Sequence, residues 1–153
     1  MGTLATNRKG KITGNSASNY ENALAQTTGV PSDQETSNTI AMQYFQSSGR
    51  GGGTFRFIRT FLHFDTSGIS AGSSFIIQVT STGANGSPSS LSNVTAIKHS
   101  AGSSNGGELA TTDFDNLDRN TPYSSATSFA SSGTVSINLN AAAATQIINN
   151  NDF

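Results

Sequence analysis

The chain contains no cysteine and no tryptophan, has only two histidines, and devotes only 11% of its residues to charge. Without cysteine there is no disulfide to staple the fold and no thiolate for nucleophilic or zinc chemistry, and redox logic does not assign a compartment. Without tryptophan a platform for stacking sugars rests on tyrosine alone. Eight basic and nine acidic residues leave a net charge of −1, which offers no general attraction to nucleic acid or to an anionic membrane. No apolar run approaches the roughly 18 residues of a membrane span, and residues 1–6 open without an apolar stretch of signal-peptide length. The expectation is a protein without nucleic-acid or membrane partners, and of the kind released by lysis.

What fills the chain instead is Ser, Thr, Asn and Gly, at 74 of 153 positions, with apolar residues at 33%. Short hydroxyl side chains and turn formers favour many short strands over long helices. A chain of this length is expected to form a single core. The aromatic residues concentrate: Tyr44, Phe45, Phe55, Phe57, Phe61, Phe64 and Phe75 fall in one 32-residue window. That window is expected to be the heart of a β-fold, with Phe61 in its core.

Residues 1–37 show neither a 2.0 nor a 3.6 apolar period and read as an extended N-terminal arm. Its basic cluster Arg8, Lys9 and Lys11 reads as a solvated face, and Met1-Gly2-x-x-x-Thr6 as a chance match to an acylation pattern. Residues 38–153 read as the β-domain. Alternation predicts a strand over 39–45, then a glycine-rich connection at Gly49, Gly51, Gly52 and Gly53 that lacks the lysine and helix of a phosphate loop. The shifting apolar parity over 54–65 predicts a strand buried on both faces or bent by a bulge. Asp65-Thr-Ser-Gly68 carries turn chemistry. Phe75, Ile77 and Val79 predict a half-buried strand, 81–90 a loop and 91–99 a weaker strand. Thr111 or Thr112 can cap a short helical turn that tucks Phe114 and Leu117 inward. Val135, Ile137 and Leu139 form the cleanest strand pattern, and Asn140 is placed to cap a helix from Ala141. The fold class is all-β: an antiparallel sandwich or jelly roll with one or two short helices.

No residue set points to catalysis, cofactor binding or a metal. His63 reads as a structural strand residue and His99 as a solvated strand end. Glu108, Asp113, Asp115 and Asp118 cluster in sequence without the glycine and distal glutamate of a calcium loop, and Asp113 and Asp115 suit the first turn of a helix. Nothing specifies a glycosidase pair. Arg56 and Arg59 can lie along apolar surface with their heads on a carboxylate such as Asp65. The sequons at Asn85 and Asn93 read as chance matches.

The segment Arg59-Thr-Phe-Leu-His-Phe-Asp-Thr-Ser-Gly-Ile-Ser-Ala-Gly-Ser73 is followed by Val94-Thr-Ala-Ile-Lys-His99, Thr112-Asp-Phe-Asp-Asn-Leu117, Thr121-Pro-Tyr-Ser124 and Ile137-Asn-Leu-Asn-Ala141. Together these resemble a β-sandwich module of tailed-bacteriophage structural proteins, and more distantly the jelly-roll carbohydrate-binding modules of disaggregatase-related (DNRLRE-type) proteins. The resemblance covers about residues 38–150. Ser70 stands where proline is common, and the module normally continues with a further strand after the Asn-Ala helix. The missing strand is expected either in a longer protein or from a neighbouring subunit. The resemblance implies a non-enzymatic virion protein, most simply a capsid decoration (cement or head-fibre) subunit anchored by its arm. Its implied partners are the major capsid protein or other virion proteins and further copies of itself, with assembly in the host cytoplasm. A carbohydrate-binding module or tail-associated adhesion protein acting on a host surface glycan is the alternative; Tyr20, Tyr44 and Tyr123 are its candidate stacking rings.

Overall fold

The computed structural model describes residues 4–6, 8–33, 44–47, 54–72, 74–81, 91–99, 109–129, 132–150 and 153. The fold is mostly β, as the composition predicts, and it divides into two compact units. The first comprises Met1–Phe64 with His99–Leu117, and the second Asp65–Lys98 with Asp118–Phe153.

In the first unit, β1 (Arg8–Gly14), a short helix α1 (Tyr20–Leu24), β2 (Gly29–Asp33), β3 (Tyr44–Ser47) and β4 (Thr54–His63) build one sheet in the order β2-β1-β4-β3. The arm expected over residues 1–37 is therefore corrected for 8–33, because β1 lies between β2 and β4, antiparallel to both. Its register pairs Ile12 with both Pro31 and Arg59, so Gly10, Ile12 and Gly14 share one face while Lys9, Lys11 and Thr13 share the other. The strand does alternate, but two of its three inward positions are glycine. A hydropathy period cannot register a core face that contributes space in place of side chains. Pro31 sits on β2, at the sheet edge, where its missing N–H interrupts no ladder between two neighbours.

β4 is the long central strand, half-buried at every position except exposed Arg56. The pairing shifts by one residue between Thr13↔Ile58 and the bridge Ala17↔Phe55, which places a bulge in the continuation of β1 and not in β4. Tyr44↔Phe57 and Ser47↔Thr54 set the β3–β4 pair, with the glycine-rich stretch 48–53 and residues 39–43 outside the described residues. Phe61 is only half-buried, so it is not the core residue the aromatic window suggested. Full burial goes to Ile12 and Phe114, both 0% exposed.

The strands β5 (Ile76–Ser81), β6 (Leu91–Val94), β7 (Ile97–His99), β8 (Leu117–Pro122), β9 (Thr127–Phe129) and β10 (Gly133–Asn138) pair from the outside inwards, β5 with β10, β6 with β9, β7 with β8, and belong to the second unit except for His99 at the end of β7 and Leu117 at the start of β8, which belong to the first. Val135 opposes Val79 and Ile137 opposes Ile77, the aliphatic cross-strand pairs that the alternation predicts. The helix α2 (Ala141–Asn150) follows and buries Ala143, Ala144 and Ile147 along one face. Asn140 starts it as expected, its Oδ1 accepting the Ala143 N–H at 3.1 Å. The same side chain donates from Nδ2 to the Pro122 carbonyl at 2.7 Å, and its backbone N–H donates to the Tyr123 carbonyl at 2.8 Å. One residue thus caps the helix and ties it to the end of β8. The turn at Asp65 also forms as predicted, with the Ser67 N–H donating to Asp65 Oδ1 at 3.0 Å and the Ile69 N–H to the Thr66 carbonyl at 2.9 Å.

Candidate functional site

Among the described residues, polar and aromatic groups gather in the first unit around a 3-10 turn at Thr111–Phe114. The sequence starts it in a way the threonines did not suggest. Ala110 occupies the N-cap position, and Asp113 reaches back so that its Oδ2 accepts the Ala110 N–H at 2.7 Å. This is the reach-back half of a capping box, a carboxylate satisfying a donor that the short turn cannot. Neither Thr111 nor Thr112 is the cap. Asp115 lies at the C-terminal end of the turn, so of the two acids expected in the first turn only Asp113 is there.

Phe114 projects from the turn onto the sheet and is enclosed on two sides. Below it lie Gly14 and Gly29, a directly opposed pair on β1 and β2. A Cβ on Gly14 would stand 2.9 Å from Phe114 Cζ and 2.7 Å from Gln26 Oε1, and one on Gly29 would stand 3.1 Å from Phe114 Cδ2. The two glycines leave the space that the ring fills. The Arg59 guanidinium lies over the ring at 3.9 Å from its centroid, while Nη1 donates to Asp115 Oδ1 at 3.4 Å. A cation over a desolvated ring is held by the ring's quadrupole as well as by its partner carboxylate. Arg59 therefore pairs with Asp115, and Arg56 donates from Nε to Ser16 Oγ at 2.8 Å.

His99 approaches the turn from β7. Its Nε2 lies 3.0 Å from the Asp113 carbonyl, and its ring meets Phe61 edge-on at 4.7 Å and 76°. The solvated position expected for it is thus corrected: the ring is half-buried. Burial pushes its pKa below the ordinary value, against the opposing pull of the Asp113 carbonyl and carboxylate.

The described members of the acidic cluster have separate partners. Asp113 holds Ala110, Asp115 holds Arg59, and Asp118 on β8 accepts the Asn120 N–H at 3.2 Å. Glu108 lies outside the described residues, as do Asn85 and residues 1–3, while Asn93 lies on β6. Among the described residues, no three His, Asp or Glu side chains gather in a way that could hold a metal ion. His63 ends β4, opposite Arg8. Of the tyrosines considered for stacking, Tyr123 is buried against Phe153, with ring centroids 5.3 Å apart, and burial pushes its phenol upward, with Asp118 adding to the shift. Tyr20 is exposed and meets Phe57 edge-on at 5.4 Å. Tyr44 lies on β3.

Asp113, Asp115, Arg59 and His99 thus tie the turn to its own start, to β4 and to β7. The glycine floor and the guanidinium lid were missed from sequence. Only the Thr-Thr-Asp-Phe run hinted at a buried ring. No family model, curated protein or solved structure matches the chain.

Proposed function

We propose that the chain is a non-enzymatic structural subunit of a tailed-bacteriophage virion, built on a jelly-roll sandwich and decorating the capsid as a cement or head-fibre subunit. The nested pairing of β5 with β10, β6 with β9 and β7 with β8 carries this reading. A long hairpin rolled upon itself pairs its strands first with last and then inwards, the connectivity of jelly rolls, which recur in viral capsid and lectin domains. The segment that resembles the phage module supports it from another side. Arg59, Asp65 and Thr66 engage the turn over β4 and the turn after it, which suits an architectural motif.

Because residues 8–33 belong to the sheet, attachment falls to the surface of the folded body. Tyr20, Leu24 and Val30 expose 45%, 40% and 61% of their surface, and they are the apolar side chains assigned here to contact with the major capsid protein. Carbohydrate binding by a tail-associated adhesion protein is the second reading, favoured by the exposed Tyr20 ring. Density-banded particles from a producing lysate, analysed by quantitative mass spectrometry, test the first reading. A fixed copy number in the particle band is expected, and a chain confined to the soluble fraction would overturn it. Glycan-array binding that disappears with Tyr20→Ala would favour the second.

A further inference from the structure

We propose that the second unit meets a further copy of itself through the outward face of β5 and β10, in a weak contact made by uncharged side chains. Charge is divided unevenly along the chain: residues 66–97 and 120–151 contain no Asp, Glu, Lys, Arg or His. The charged residues of the second unit are therefore Asp65, Lys98, Asp118, Arg119 and Asp152, at or near the ends of its two segments. Soluble surfaces usually devote about 25–35% of their residues to charge, and the resulting repulsion helps to keep copies apart. Over these two runs that repulsion is missing.

The pairs Val79 with Val135 and Ile77 with Ile137 take the inner side, so alternation turns Thr80 and Thr134, Gln78 and Ser136, and Ile76 and Asn138 outward as three paired rungs. All six are exposed, Ile76 by 42%. A symmetric contact between two copies sets each group against the same group or its neighbour. Like charges would repel there, whereas a hydroxyl or a carboxamide both donates and accepts, and so complements its own copy. The Thr80 and Thr134 hydroxyls lie 3.4 Å apart, and one hydrogen bond between them leaves a donor and further lone pairs for a second molecule. Ile76 adds an apolar end. The six carry no aromatic ring on which a sugar could stack, which favours a protein face over a glycan. A stable interface uses roughly 20–30 residues a side, so this contact is weak and counts when several copies are held together. It requires no capsid.

NMR spectra of the full chain between about 50 µM and about 1 mM test this, a range that reaches a millimolar dissociation constant. Amide shifts at 76–80 and 134–138 are expected to move with concentration as tumbling slows, and equally at about 0.05 M and about 0.5 M salt, because the face has no ion pair to screen. Ser136→Lys and Ser136→Glu, on the middle rung, should each lose the concentration dependence, and an equimolar mixture of the two should regain it, since opposite charges then meet. Should either variant unfold, Gln78→Lys and Gln78→Glu on the same rung serve instead. No concentration dependence in the wild type, shifts centred in the first unit, or association weakened by salt would overturn the proposal, as would charged variants that associate like the wild type. Shifts at this face on adding dextran, without self-association, would overturn it in favour of a neutral glycan.

Discussion

The two units reach compactness by different means. Among its described residues, the second buries Val135, Ile137, Ala143, Ala144 and Ile147, from an aliphatic strand and a helix face, together with the Tyr123 ring stacked on Phe153. The first, among its described residues, fully buries only Ile12, Ala23 and Phe114 as apolar side chains. It makes up the difference with a close approach: the Phe114 ring lies on a glycine pair and under a guanidinium. An aliphatic face tolerates repacking, whereas a ring enclosed by backbone and a cation depends on a few residues that have no substitutes.

This contrast predicts that damage will be concentrated in the first unit. Phe114→Ala should destabilise by about 3–5 kcal/mol, the usual cost of removing a fully buried aromatic. Phe61→Ala, at a half-buried position, should cost clearly less. Chemical denaturation of both variants checks the order, and equal losses would show that the aromatic window, not the turn, organises this unit. Gly29→Ala comes next, because a Cβ there would meet Ile12 Cγ2 at 2.6 Å and the Thr13 carbonyl at 2.8 Å. Backbone cannot yield as a side-chain tip does, so a loss of about 1–3 kcal/mol is expected, visible as a lowered melting temperature.

In the second unit, Asn140→Ala should cost about 0.5–2 kcal/mol by removing the α2 cap, near the upper end because the Pro122 carbonyl also loses its donor. Hydrogen exchange should show the loss at α2 and the end of β8. The smallest effect separates the units by pH. The Tyr123 pKa is raised above 10.0 by burial, with Asp118 adding to the shift. Its contribution is complete below 10.0 and is lost as pH rises through the folded value, since the unfolded phenol ionises first. Tyr123→Phe should flatten that alkaline decline in a melting-temperature profile. The His99 pKa is shifted the other way, lowered by burial, so its contribution in the first unit is complete above 6.5 and is lost as pH falls through the folded value.

The second unit was legible because its signals are local. Val135 and Ile137 alternate, Asn140 precedes an alanine run, and Asp65 begins a turn within four residues, so each element declares itself over a short span. β1 could not be read in this way. Its inward positions, Gly10, Ile12 and Gly14, carry one apolar side chain among three, and its value as a strand exists only once Phe114 arrives from 100 residues later in the sequence. His99 was misplaced for a related reason: Lys98-His99 at a strand end looks solvated until the turn folds over it.

By itself, then, the sequence determined the β class, the α2 helix with its asparagine cap, the turn at Asp65 and the pattern of β5 and β10, because propensity, capping and period-2 alternation act between near neighbours. Tertiary structure alone decided that β1 and β2 join a sheet, that Arg59 pairs with Asp115, and that Phe114 rather than Phe61 is buried. Those outcomes turn on which distant backbone leaves room for a ring and which charge lies within reach of it. Such quantities are properties of three-dimensional distance, and no local window of residues contains them.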